Sequence, residues 1–206
     1  SLGLMLENIS DRLSEPGGPH EFAASKRPKA RLKTIENAGK LQIPFTTGNL
    51  VGIGETKIER LDSIFAIKKI NENYGHIQEL IIQNFRAKTD IPMKSHPEPH
   101  IQDFIWTIAA TRIIMGTNAN IQVPPNLNEG YYENFLSAGI NDWGGISPLT
   151  IDYVNPEAPW PTIEQLNQKT TEKGFELKPR LPIYPEFIKS KNAQFKTSSL
   201  LSKKID

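Results

Sequence analysis

Apolar positions along this chain follow two rhythms: short continuous or alternating runs, and longer stretches spaced three and four apart. Ser1–Glu7 (S-L-G-L-M-L-E) reads as a strand, and P-G-G-P at Pro16–Pro19 as a turn. Pro28–Gly39 reads as a helix, with Pro28 in its first turn, Leu32 and Ile35 on one side and Gly39 as its stop. Ile43–Ile53 is a second strand region. Glu55–Tyr74 gives the clearest helical spacing, with Ile58, Leu61, Ile64, Phe65 and Ile67 on one side and Gly75 closing it. Ile77–Phe85 is a continuous apolar strand of the kind covered on both faces. A proline-rich loop, Ala87–Pro99, leads to a helix over Ile101–Met115. Ala119–Val123 is a short strand, Asn128–Ala138 a helix stopped by Gly139, and Ile140–Trp143 a last short strand. The long loop Gly144–Pro161, a helix over Thr162–Lys173 and an extended segment Phe175–Ile183 follow. Lys189–Asp206 is Lys- and Ser-rich and reads as a mobile tail, leaving residues 1–188 as the domain.

Five strands alternating with helices predict a parallel sheet joined by right-handed crossovers. Both open α/β sheets and barrels bind ligands at the carboxyl ends of such strands. Five units do not close an eight-stranded barrel, so the pattern fits an open sheet or part of a barrel.

Composition narrows the chemistry. A chain of 206 residues can bury a core, and its net charge of +1 gives no electrostatic case for nucleic acid or an anionic membrane. There is no cysteine, which excludes disulfides, thiolate zinc sites and thiolate-held iron–sulfur clusters within these residues. No apolar run reaches bilayer length, and the first residues lack the basic and apolar regions of a signal peptide, so a cytoplasmic location is expected. A strand-like run at residue 1, without an initiating Met, suggests a chain cut inside a larger fold.

Polar and glycine-rich residues gather just after the predicted strands. Gly48-x-Leu50-x-Gly52-x-x-Glu55, with Gly54 between, would let backbone approach a flat or polar ligand; tight strand–helix packing is the plainer alternative. It is neither a Walker motif nor a G-x-G-x-x-G dinucleotide site. Glu7 ends the first strand and could accept from ribose hydroxyls or an ammonium, or simply form a turn salt bridge. Arg31 could hold a ligand carboxylate bidentately, or be a solvated helix residue. Asn84 and Arg86, Gln122 and Asn126, and Asp142 and Trp143 repeat a polar tip on three successive strands. Trp143 has a buried, structural alternative. His20 follows Gly17-Gly18-Pro19 on the same edge as Glu7, whereas His76, just before a strand, reads as structural. His96 and His100 are four apart, but Pro97 and Pro99 forbid the helix a metal pair would need.

Taken in order, these segments resemble the CofG family of radical S-adenosylmethionine (SAM) enzymes, which form the deazaflavin chromophore of coenzyme F-420. The resemblance covers roughly residues 1–188. It rests on S-L-G-L-M-L-E (1–7), G-G-P-H (17–20), P-F-T-T-G-N-L-V-G-I-G-E-T (44–56), G-H-I-Q-E-L-I-I-Q-N-F-R-A-K (75–88), I-Q-V-P-P-N-L (121–127), G-I-N-D-W-G-G-I-S-P-L-T (139–150) and V-N-P-E-A-P-W-P (154–161). Q-N-F-R-A-K and N-D-W-G-G-I-S-P-L-T are the segments most specific to that family.

The resemblance implies a partial (β/α) TIM-type barrel of the radical SAM kind, from the fourth strand onward. It implies SAM contacts from Glu7, Arg31, Gly48, Gly52, Gly54 and Glu55. His20, Asn84, Arg86, Gln122, Asn126, Asp142 and Trp143 would then line the substrate side. It implies a [4Fe-4S] cluster whose C-x-x-x-C-x-x-C loop these residues do not contain, so the isolated chain is expected to be inactive. The implied chemistry is reductive SAM cleavage, hydrogen abstraction from a tyrosine-derived adduct of a ribitylaminouracil, then cyclisation with ammonia loss. A CofH-like second subunit and a ferredoxin or flavodoxin reductant are the implied partners. A radical SAM enzyme with another aromatic substrate, and a cysteine-free binding module, are the alternatives.

Overall fold

The longest helix is fixed at both ends by its own sequence. In the computed structural model, which describes residues 1–147 and 149–188, it runs over Lys57–Tyr74. Thr56 accepts from the Glu59 N–H while the Glu59 side chain accepts from the Thr56 N–H, and Gly75 ends the helix with φ 62°. Around it the chain forms β1 (Leu2–Gly3), α1 (Pro28–Lys40), β2 (Phe45–Val51), this helix as α2, and β3 (Ile77–Asn84). Then follow α3 (Ile101–Met115), β4 (Ile121–Gln122), α4 (Asn134–Ala138), α5 (Ile163–Glu172) and α6 (Pro185–Ile188).

The four strands are parallel and lie side by side in chain order, as successive β–α–β units place them. With flanking helices this is the α/β arrangement of part of a TIM-type barrel. Side chains alternate across the sheet. Phe45, Leu80 and Leu6 pack with Ile35 of α1 and Ile67 of α2. Val51, Ile82 and Ile121 pack with Phe104 of α3, Phe135 of α4 and Leu166 of α5. Thr46, Glu79, Gln122 and Asp142 fall on the other face.

Several expected elements are shorter. Only Leu2 and Gly3 of Ser1–Glu7 form a ladder: the Leu6 N–H bonds the Thr47 hydroxyl in place of the β2 backbone, and Glu7, at φ 63°, meets Asn49 through a single bridge. The helix expected over Asn128–Ala138 is interrupted at Gly130, which adopts φ 80°, and re-forms only as α4. Ile140–Trp143 is reduced to one bridge between Asp142 and Gln122. Phe175–Ile183 forms no strand: Pro179 and Pro182 lack N–H donors, and side chains anchor the segment instead. On α2, Ile58 and Phe65 are exposed while Arg60 and Ser63 are buried, for reasons that lie at the strand ends. The expected tail, Lys189–Asp206, lies outside the described residues. Among the described residues no helix is long and apolar enough to cross a membrane.

Candidate functional site

Glu7 is the centre of the first group. Its N–H donates to the Gly48 carbonyl and its own carbonyl accepts from Leu50, which fixes it beside the end of β2. A positive φ is costly for a residue with a side chain, and it aims this carboxylate into a nest of donors. His20 Nε2 lies 2.8 Å from Oε2, and Arg31 Nη1 lies 3.0 Å from Oε1. Lys26 Nζ touches both oxygens, at 3.0 and 3.2 Å. Arg31 is itself buried, donating also to the carbonyls of Met5 and Ser25. Burial alone would raise the Glu7 pKa, but hydrogen bonds from His20 and Lys26 and the charges of Lys26 and Arg31 outweigh it and hold the group at about 2.

The glycine turn begins next to Glu7 and is fixed from behind. A Cβ on Gly48 would lie 1.8 Å from the Ile81 carbonyl oxygen, so this glycine serves the close approach of β2 and β3. Gly52 and Gly54 adopt φ 95° and 100°. A Cβ on Gly52 would strike the Pro99 ring, whereas one on Gly54 would meet nothing nearer than His96, at 4.0 Å. Glu55 turns inward: it accepts the Gly52 and Ile53 N–H groups, each at 2.8 Å, and pairs with Arg60. Arg60 in turn reaches Asp103 and Thr107 of α3, which explains its burial on α2. The turn is thus rigid behind and open at Gly54.

A second group surrounds a cavity of about 310 Å³ beyond β3 and β4, lined by Asn84, Arg86, Glu98, Asn126, Asn128 and Tyr131 among others. Asn84 accepts from Asn128 at 2.8 Å. Arg86 reaches Glu98 and the Leu127 carbonyl. Asn126 donates to Asp152 and to the Ala158 carbonyl, and its own oxygen has no protein partner.

Gln122 and Asp142 do not join that cavity. They lie on the sheet face opposite α1 and α2, in a cluster with Glu79, Arg180 and Tyr184. Arg180 pairs with Asp142 and, at 2.7 Å, with Glu79. The Tyr184 hydroxyl lies 3.0 Å from Glu79 and 2.7 Å from Asp142. The Gln122 amide, with its nitrogen facing Glu79, completes the group at 3.1 Å. Burial raises the Glu79 pKa and the Asp142 charge adds to this; Arg180 and Tyr184 offset part of it. Trp143 is a correction to the expected ligand wall. It is buried in the outer core, its Nε1 donating to Thr170 and its ring edge-on to Tyr132. His76 is buried against the Ile35 carbonyl.

The expected residues therefore fall into four places: Glu7, Arg31 and His20 with the glycine turn; Asn84, Arg86 and Asn126 at the cavity; Gln122 and Asp142 on the sheet face; and Trp143 in the outer core. Lys26, Glu79, Arg180 and Tyr184 escaped the sequence analysis. Glu79 had a visible signal, a charge inside an apolar strand, and Lys26 precedes the Pro28 helix start on the same loop as His20. Arg180 and Tyr184 sit in no periodic pattern. The chain contains no cysteine, and among the described residues no group of His, Asp and Glu could hold a metal.

Fold and site together define part of a parallel β/α barrel with a polar, carboxylate-centred edge at its strand ends. No family model matches the chain. Curated relatives match nearly all of it. It is 54% identical to the 7,8-didemethyl-8-hydroxy-5-deazariboflavin synthase of Methanopyrus kandleri over 189 residues, 92% of this chain and 56% of that protein. Against the synthase of the same name from Methanococcus vannielii it is 53% identical over 205 residues, 57% of that protein. Against the FO synthase of Streptomyces avermitilis it is 53% identical over 189 residues, 22% of that protein. The chain belongs to the 7,8-didemethyl-8-hydroxy-5-deazariboflavin synthase family, and it spans little more than half the length of the first two relatives.

Proposed function

We propose that this chain supplies the SAM-binding edge and one substrate wall of a radical SAM synthase that forms 7,8-didemethyl-8-hydroxy-5-deazariboflavin for coenzyme F-420. The observation that carries this is the juxtaposition of the Glu7 cluster with the open glycine turn, in a chain 54% identical to a synthase of that name. The donor set fits a ligand that is both nucleoside and amino acid. Glu7 is an acceptor for ribose hydroxyls, Lys26 is a cation for a carboxylate, with Arg31 behind it adding positive charge, and the Cα side of Gly54, whose carbonyl accepts from Arg12, leaves room for a flat ring. When bound, SAM supplies a 5′-deoxyadenosyl radical on one-electron reduction. The residues present do not fit a [4Fe-4S] cluster, since none is a cysteine.

This chain's own part is to bind and orient. Glu55 and Arg60 hold the glycine turn rigid, so their effect on SAM passes through the backbone of Gly52–Gly54. His20, Lys26 and Arg31 together keep Glu7 ionised and in place. The amide-rich cavity around Asn84, Arg86 and Asn126 offers polar groups that would orient a ribityluracil-type substrate, the tyrosine-derived adduct. A CofH-like subunit, which would supply that adduct, and a ferredoxin or flavodoxin reductant complete the proposal.

The test is a hybrid in which this chain replaces the matching part of the Methanopyrus kandleri relative. Reduced and given SAM with the adduct, it is expected to release 5′-deoxyadenosine and the fluorescent deazaflavin. A hybrid that cleaves SAM yet forms no deazaflavin from the adduct would overturn the assignment.

A further inference from the structure

Lys26 bonds both Glu7 oxygens at once, and it is the member of the cluster open to solvent. Its side chain is 37% exposed, against 5% for His20 and 8% for Arg31. His20 takes Oε2 and Arg31 takes Oε1 from the buried side. A carboxylate offers about four lone-pair sites, so the acceptor sites left to an incoming ligand are those that Lys26 occupies. Two adjacent hydroxyls, each bonding one oxygen, need the place where one ammonium now bridges both. The buried bonds from His20 to Oε2 and from Arg31 to Oε1 keep the carboxylate from turning to offer another edge.

We infer that Lys26 is an exchangeable place-holder, displaced from Glu7 by a vicinal diol and recaptured by a carboxylate of the same ligand. This rests on the reading of the edge as a SAM site and adds a residue and a selectivity to it. Displacement alone strips an ion pair from Lys26, so a diol without a carboxylate binds at a disadvantage. A ligand carrying both groups returns a partner to the ammonium, and Lys26 thereby discriminates SAM from its nucleoside fragments. The ammonium's flexible four-carbon stem suits such a swing, whereas the buried guanidinium of Arg31, tied to two carbonyls, does not.

The test compares SAM with 5′-methylthioadenosine, which keeps the diol and lacks the carboxylate, by calorimetric titration of this chain and its Lys26→Met variant. The variant is expected to bind SAM about tenfold more weakly and methylthioadenosine as well or several-fold more tightly. Equal changes for both ligands, or none, would overturn the inference while leaving the SAM edge standing. A wild-type chain that binds neither ligand overturns the SAM edge itself and this inference with it. Wild-type protein gives a second readout that needs no variant: acetylation of Lys26 followed by mass spectrometry. Methylthioadenosine should speed modification by freeing the amine, and SAM should slow it. Protection by both ligands alike would refute the exchange.

Discussion

Replacing Glu55 by glutamine keeps the shape of the side chain and removes its charge, at a point where three donors converge. The N–H groups of Gly52 and Ile53 each reach the carboxylate at 2.8 Å, and Arg60 pairs with it in the interior. Hydrogen bonds to a charged acceptor contribute about 1.5–3 kcal/mol each, and neutral ones about 0.5–1.5 kcal/mol. Glutamine retains one oxygen, so two bonds weaken by roughly 1 kcal/mol apiece. Its amide nitrogen then faces the remaining donor, leaving a buried N–H unmet at a cost of about 1–3 kcal/mol. The sum is about 3–5 kcal/mol. Arg60 keeps Asp103, so it is not left as an uncompensated buried charge. Against a typical domain stability of about 5–15 kcal/mol, such a loss is large. Urea unfolding of the chain and its Glu55→Gln variant would measure it as a lower midpoint at unchanged slope. Hydrogen exchange should show the Gly52 and Ile53 amides losing protection. A change below about 1 kcal/mol, with those amides still protected, would refute the view that Glu55 holds the turn.

Gly48→Ala should destabilise the chain by about 3 kcal/mol or more, because its Cβ meets the Ile81 carbonyl at 1.8 Å and the β2–β3 ladder must part. Gly54→Ala should cost only about 1–2 kcal/mol of backbone strain, and unfolding midpoints of the two variants would rank them. Glu7, lowered from 4.5 to about 2, contributes stability that is fully present above its unfolded value and lost as pH falls through 2. The amount is about 3 kcal/mol, read from unfolding at pH 6, 4 and 2 or from the carboxyl's NMR titration. Arg180→Gln should cost about 2–3 kcal/mol at pH 7 by leaving Glu79 and Asp142 without their shared cation. That loss should shrink as pH falls, because burial and the Asp142 charge already favour protonated Glu79; a pH-independent loss would contradict the cluster.

How much of this was legible in the chain depends on whether a feature is local. The bounds of α3 match the expectation over Ile101–Met115, and α2 differs by two residues at its start, because caps and helical spacing are written in adjacent residues. Asn128–Ala138 misled because apolar spacing outweighed one glycine, and Gly130 in a left-handed conformation is enough to break the run. The buried polar face of α2 was not legible. Arg60 is buried to serve Glu55, Asp103 and Thr107, and Ser63 to receive the Ile9 N–H, partners that no periodicity reveals. The same holds for Glu79, whose cation lies 101 residues away.

The glycine motif shows why position along a strand end does not settle a role. Gly48 and Glu55 point away from the edge, one into a neighbouring strand and one beneath the turn, and Trp143 points into the outer core. Each has a packing or bonding demand within the protein that already fixes its residue type. Glu7 differs: a turn needs neither a carboxylate at positive φ nor three basic groups around it. Its partners offset the cost of burying this charge, and a cluster of ionisable groups with a shifted carboxylate at a strand end is the kind of place where function is found. Gly54 differs too, since its bare side borders open space where a side chain would fit but for the backbone angle. The unpaired oxygen of Asn126, beside the cavity, carries the same mark of an unmet demand. Glu7 with its cations, Gly54 and Asn126 are three places where the chemistry exceeds what the neighbouring packing requires. All of them lie at or beyond the carboxyl ends of the strands, where a parallel barrel receives its ligands.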